Sequence, residues 1–227
     1  MKYTSAIAST GSGSMGGATA SRNKGGQYFR RRAIPTNPST ARQQIVRNGM
    51  ATLSQRWGNV LTAVQRAAWN VYGENVPTTD TLGQSINLSG IDWFIAMNNV
   101  RISAGKTTVD TAPTTFTLAS LTPPVVTGTA ASGIGTVSFT NSDIWATAVG
   151  GGLAMQFSRP QSAGITFFKA PFQLGGTING AVSPPTSPQN ITLPFPAAVG
   201  NKVFWQARAF NADGRISALL RGSFLPS

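Results

Sequence analysis

Two rhythms of apolar residues run along this chain, and the change from one to the other falls near Thr107. Before it, apolar positions recur mostly every third or fourth residue, the spacing of one helix face; after it, short apolar runs alternate with Gly- and Pro-bearing turns. The exception stands at the beginning. Met15–Ser21 and Gln27–Ile34 read as strands around Arg22-Asn23-Lys24-Gly25-Gly26, where Asn and Gly supply the positive φ that a tight hairpin needs. Period-2 alternation along the second strand puts Tyr28, Arg30, Arg32 and Ile34 on one face and Phe29, Arg31 and Ala33 on the other. Pro35-Thr36-Asn37-Pro38 ends that strand and opens a helix, with Asn37 as N-cap and Pro38 at the first helical position. Over Ser39–Trp57 the residues Ile45, Val46, Met50, Leu53 and Trp57 fall at helical spacing, and Arg42, Arg47 and Arg56 take other faces. Thr62-Ala63-Val64-Gln65 has the form of a capping box and predicts a second helix through Trp69 and Tyr72, stopped by Gly73 and Pro77. Ser89-Gly90-Ile91-Asp92 predicts a third, carrying Trp93, Phe94, Met97, Val100 and Arg101 and closing near Gly105.

Beyond Thr107 the apolar runs Pro124–Thr129, Gly135–Thr140, Gly152–Ser158, Gly164–Phe168, Asn190–Pro194, Lys202–Phe210 and Ile216–Phe224 predict seven short strands, the pattern of an antiparallel β-sandwich. The expected fold class is α+β, with an N-terminal β-hairpin plus short helices and a C-terminal sandwich. The expected organisation is a flexible N-terminal arm at 1–13, a basic hairpin and three-helix module at 14–106, a linker at 107–122 and the sandwich at 123–227.

Charge changes this picture more than composition does. Ten basic residues, from Lys2 to Arg66, precede the first acid, Glu74, whereas residues 74–227 hold eight basic residues against six acids. An N-terminal half built this way is suited to a polyanion or an acidic protein surface. Cys and His are absent, which excludes disulfides, thiolate or imidazole metal ligands and imidazole acid–base catalysis. The six carboxylates, Glu74, Asp80, Asp92, Asp110, Asp143 and Asp213, stand at least six positions apart. Asp92 reads as a helix cap and Asp213 as a turn residue, and Gly150-Gly151-Gly152 lacks the Lys-Ser/Thr of a phosphate cradle. No catalytic, metal-binding or cofactor-binding residue is therefore assigned, and no enzymatic activity is expected. No apolar run reaches the roughly 18 residues of a membrane span, and Ile7–Ala20 lacks the apolar core of a signal peptide.

Val203-Phe204-Trp205-Gln206-Ala207-Arg208-Ala209-Phe210-Asn211-Ala212-Asp213-Gly214 resembles the penultimate strand and following turn of fibronectin type III-like domains, so the sandwich is expected to be immunoglobulin-like. Four earlier segments carry a second resemblance: Ser21-Arg22-Asn23-Lys24-Gly25-Gly26-Gln27-Tyr28, Pro35-Thr36-Asn37-Pro38-Ser39-Thr40, Leu61-Thr62-Ala63-Val64-Gln65-Arg66-Ala67-Ala68-Trp69-Asn70, and Leu88-Ser89-Gly90 through Ala104-Gly105. In this order they look like a family of poorly characterised proteins from bacteriophages and prophages, in which such a module precedes an immunoglobulin-like domain. The resemblance implies a virion structural role in capsid, neck or tail, and a virion location. It brings no catalytic or binding residues.

The candidate partner-binding residues are Arg22, Lys24, Tyr28, Phe29, Arg30, Arg31 and Arg32. Guanidinium groups pair with acidic side chains of other virion proteins, with the two rings as apolar anchors, and the partners form a symmetric array or a homo-oligomer. Nucleic acid is the alternative partner, since the same groups pair with phosphate and stack on bases; a solvated edge strand is the bland reading. Trp57, Trp69 and Trp93 are expected in the helical core. Trp145, Phe167, Phe168 or Trp205 surfacing on the sandwich would make a glycan platform, and alternation along Phe204-Trp205-Gln206 turns one of the two rings outward.

Overall fold

The computed structural model describes residues 13–227 except 25, 35, 37, 38, 80–82 and 131. The expected N-cap Asn37, the helix-opening Pro38 and residues 1–12 of the expected arm lie outside the described residues. The chain divides into two compact units, 1–44 and 45–227.

The first unit is a three-stranded antiparallel meander, β1 (Gly13–Met15), β2 (Ala18–Asn23) and β3 (Gly26–Arg31). The expected hairpin is β2–β3, with Asn23 opposite Gly26, whose φ of +104° only glycine adopts without strain. The sequence reading missed β1. It is held by pairing with β2 and by a 3.1 Å hydrogen bond between the hydroxyls of Ser14 and Thr19. β3 ends at Arg31, so the expected alternation does not extend to Arg32 and Ile34; the Arg32 N–H donates to Gly17 O at 2.9 Å.

Helix α1 (Ala41–Asn59) crosses the division between the units. Thr40 and Gln43 exchange the hydrogen bonds of a capping box: the Gln43 N–H donates to the Thr40 hydroxyl at 3.3 Å and the Thr40 N–H to Gln43 Oε1 at 3.2 Å. Its apolar stripe is covered only near the C-terminal end. Leu53 is fully buried and Trp57 half-buried, whereas Ile45, Val46 and Met50 are exposed.

In the second unit, α2 (Ala63–Asn75) starts at the expected Thr62–Gln65 capping box. α3 (Gly90–Ser103) starts at Ser89, whose hydroxyl accepts from the Asp92 N–H at 3.3 Å and donates to the Asp92 carboxylate at 2.6 Å. A two-stranded ladder, β4 (Pro77–Thr79) and β5 (Ser85–Asn87), connects these helices. The helices cross where side chains are missing: a Cβ on Gly90 would lie 2.4 Å from Asn70 Oδ1, and one on Gly73 2.4 Å from Leu88 O. Trp69, Tyr72, Trp93 and Phe94 pack in edge-on pairs within this junction.

Two antiparallel sheets follow. One has the order β11 (Gln189–Thr192), β7 (Ile134–Ser138), β6 (Val125–Thr129). The other has the order β10 (Phe172–Asn179), β8 (Gly152–Ser158), β12 (Asn201–Phe210), β13 (Leu220–Phe224), with the short β9 (Gln161–Ser162) also pairing with β12. A short helix, α4 (Ile144–Thr147), precedes β8. The fold class is α+β, mostly antiparallel sheet with four helices among the described residues.

β12 organises the core because both its faces are covered. Val203, Trp205, Ala207 and Ala209 join Val137, Leu153, Met155, Phe157, Ile191 and Phe224 in the core between the two sheets. Phe210 on its other face joins Ala154 and Ile216 in a second core with Leu53, Trp69, Tyr72, Phe94 and Met97 of the helices. This corrects the reading of one outward ring: Phe204 and Trp205 are both buried, with Phe168 stacked 5.8 Å from Phe204. Trp145 is likewise fully buried, so neither tryptophan surfaces.

The strand expected at Gly164–Phe168 is an irregular segment, and the strand in that part of the sheet is β10. Gly175-Gly176 made β10 hard to read as a strand. A Cβ on Gly175 would stand 2.7 Å from the Phe157 ring and one on Gly176 3.2 Å from Ile191, so the close approach of core side chains requires the pair. The register also slips between Leu174 and Gly176. The last expected strand begins at Leu220; Ile216 makes only an isolated bridge to Phe210.

Candidate functional site

The three-stranded sheet brings the candidate residues together. Its register sets Tyr28 opposite Ser21 and Arg30 opposite Thr19, so Tyr28 and Arg30 share one face with Ser14, Thr19 and Ser21. Phe29 opposite Ala20, Arg31 opposite Ala18, and Arg22 opposite Gln27 share the other. Both faces are cationic. Arg22, Lys24, Arg30, Arg31 and Arg32 are exposed, while Tyr28 and Phe29 are half-buried.

No carboxylate belongs to this unit: residues 1–44 contain Lys2, Arg22, Lys24, Arg30, Arg31, Arg32 and Arg42 and no Asp or Glu. Among the described residues neither salt bridge involves them; the two are Arg56–Asp110 and Arg215–Asp213. Such a charge left without a salt bridge among the described residues suits a partner of opposite charge.

Four acids of the second unit, Asp92, Asp110, Asp143 and Asp213, have structural roles. Asp110 takes a two-pronged contact from Arg56, with Nε at 2.6 Å and Nη2 at 2.7 Å, and this hydrogen bonding holds the Arg56 guanidinium above its usual pKa. Asp143 accepts from the Thr122 N–H and hydroxyl and from the Trp145 indole. Ser89, not Asp92, is the N-cap of α3, and the Asp92 carboxylate accepts its hydroxyl; Asp213 accepts the Arg215 N–H and Nε in the turn Asn211–Gly214, as the sequence indicated. Glu74 is exposed. Among the described residues no three acids gather as metal ligands, and no helix is long and apolar enough to cross a membrane.

The sequence reading missed the polar clamps that fasten the helices to the sheets. Arg101 of α3 is buried; its Nε donates to Thr107 O at 2.9 Å and its Nη1 to Gly150 O at 3.1 Å and Asn211 O at 2.9 Å, and its guanidinium lies 5.8 Å from the Phe210 ring centroid. Burial pushes its pKa down, partly countered by Asp213. Buried Asn98 holds Val109 through both backbone groups, and the Trp69 indole donates to Asp110 O at 2.8 Å. An arginine in the last turn of a helix reads as a dipole partner at the surface; only its distant carbonyl partners mark it as internal.

Of the four aromatics considered for a glycan platform, only Phe167 is well exposed, and Phe168 is half-buried. They line a groove of about 220 Å³ with Trp205, Phe172, Phe204 and Arg221. Its walls lack the carboxylate and amide side chains that grip sugar hydroxyls. No family of proteins, no curated protein and no solved structure matches this chain.

Proposed function

We propose that this chain is a non-enzymatic bacteriophage virion structural protein that docks on other virion subunits, in a symmetric array or homo-oligomer, through its basic N-terminal unit. The observation that carries the docking is the segregation of charge: the three-stranded sheet presents exposed guanidinium groups on both faces in a unit without a single acid. Arg30, Arg31 and Arg32 pair with acidic side chains of the partner, and Tyr28 supplies apolar contact beside them. Many such contacts on a symmetric shell add up to firm attachment although each is weak. The assignment to a virion rests on the resemblance of the four N-terminal segments.

The second unit is read as carrying an immunoglobulin-like sandwich that projects from the assembly or packs between neighbours. Lettered A to G in chain order, the seven principal strands fall into a three-stranded E-B-A sheet and a four-stranded sheet in which the fourth strand joins the C-F-G side, an arrangement compatible with that family of folds.

The test is incorporation. Arg30→Glu combined with Arg32→Glu is expected to abolish incorporation into particles while the thermal melt of the isolated protein is unchanged. Normal incorporation would refute docking through this unit.

A further inference from the structure

Helix α1 carries an apolar stripe over more of its length than the rest of the chain covers. Val46, Met50, Leu53 and Trp57 follow one another at steps of four, three and four residues, the spacing of a single helix seam, and Ile45 flanks them. The C-terminal end of the seam is filled. Leu53 is fully buried, and the Trp57 ring centroid lies 5.6 Å from that of Phe94 on α3. One turn before Leu53, a Cβ on Gly49 would stand 3.6 Å from Asn99 Oδ1, so α1 follows α3 toward its C-terminal end, and α3 stops at Ser103. Beyond that contact the seam is bare: Ile45 is 67% exposed, Val46 52% and Met50 42%.

Three large apolar side chains grouped on one helix face mark an interaction surface more than scattered exposed residues do. The turns that carry them are already formed, since the Thr40–Gln43 capping box closes the N-terminal end of the helix. A partner would therefore meet an ordered backbone, which lowers the cost of binding. Charge selects the occupant. α1 holds Arg42, Arg47 and Arg56 and no acid, and the chain has no acid before Glu74. Arg56 is engaged by Asp110, whereas Arg47 lies exposed next to Val46. A second copy laid along the stripe would bring like charges together, which is unfavourable. A helix with apolar residues on one face and Asp or Glu on its flanks complements both the stripe and the cations.

We propose that Ile45, Val46 and Met50 form a docking seam for an acidic amphipathic helix of a partner protein, which lies along the N-terminal half of α1 and continues the packing that Leu53 and Trp57 make within the chain. That the partner is a virion subunit rests on the docking reading above; the seam itself does not.

The test uses the full chain and its Ile45→Ser, Met50→Ser double variant. The probes are a labelled amphipathic peptide of about three heptads with Leu along the seam and Glu on the flanks, its counterpart with Lys in place of Glu, and parent particles. By fluorescence anisotropy the full chain is expected to bind the Glu peptide and not the Lys peptide. The double variant is expected to melt with the parent chain and to bind both the Glu peptide and particles about tenfold or more weakly. It keeps every cation, so undiminished binding of the Glu peptide or of particles would overturn the proposal. Failure of the parent chain to bind the Glu peptide would do the same. A melt lowered as far as that of Leu53→Ala would mean that the stripe is covered in the free chain, and would also overturn it. A dimer in sedimentation equilibrium that the double variant dissolves would identify a second copy as the occupant, with the same consequence. If neither protein binds particles while the Glu peptide still tells them apart, the docking reading fails and the seam stands.

Discussion

Tyr72 joins packing and ionisation in one side chain. It is fully buried in the helical core, its hydroxyl donates to Thr117 O at 3.2 Å, and its ring packs edge-on against Trp69 and Trp93. Burial pushes its pKa from the usual 10 up to about 12, with Arg215 drawing it down and Asp213 raising it. The folded state therefore holds the phenolic proton more tightly than the unfolded chain does. The resulting stability is fully present below pH 10 and is lost as pH rises through about 12. Its magnitude is roughly 2–3 kcal/mol. Chemical denaturation between pH 9 and 12 is expected to show this loss in the parent and a flatter profile in Tyr72→Phe, with the variant about 1 kcal/mol less stable at pH 7 for want of the hydrogen bond. Equal slopes in the two proteins would contradict this role. The buried state of Trp69 was legible in the sequence from helical spacing. The internal role of Arg101 was not, because its partners are carbonyls of residues far along the chain.

Elements were legible where their signals are local. The Thr62–Gln65 capping box and the Ser89 cap lie within four residues and mark their helices whatever packs on them. β10 was missed because its Gly175-Gly176 interruption answers to Phe157 and Ile191 on other strands, and both rings of β12 are covered because helices and loop pack on a face that alternation alone turns toward solvent. α1 shows the limit from the other side. Its periodicity defines an apolar face, yet cover exists at Leu53 and not at Ile45 or Met50. Leu53→Ala is accordingly expected to cost about 2–5 kcal/mol, whereas Ile45→Ser falls within about 1 kcal/mol of the parent in urea denaturation of the isolated protein. Comparable losses at both positions would mean that the N-terminal half of α1 is covered in solution.

On the scale of the whole molecule, the chain separates charge from core. The unit 1–44 has seven basic residues and no acid, while the unit 45–227 holds all six acids, with Asp92, Asp110, Asp143 and Asp213 in caps, clamps and turns. This separation is legible in the sequence alone, because charge order along a chain needs no fold to be seen. What the fold added is that β2 and β3 display the cations on two faces of one small sheet. The choice between a protein partner and nucleic acid follows from the counterions released: binding to DNA weakens steeply and uniformly with salt, whereas docking on a complementary protein surface keeps a salt-resistant part from apolar contact and shape. Cosedimentation of the purified full chain with parent particles and, separately, with double-stranded DNA, from about 50 to 300 mM salt, decides it most directly. Stoichiometric binding to particles that persists across the series, with little retention on DNA, is expected. Strong salt-sensitive binding to DNA without binding to particles would contradict it.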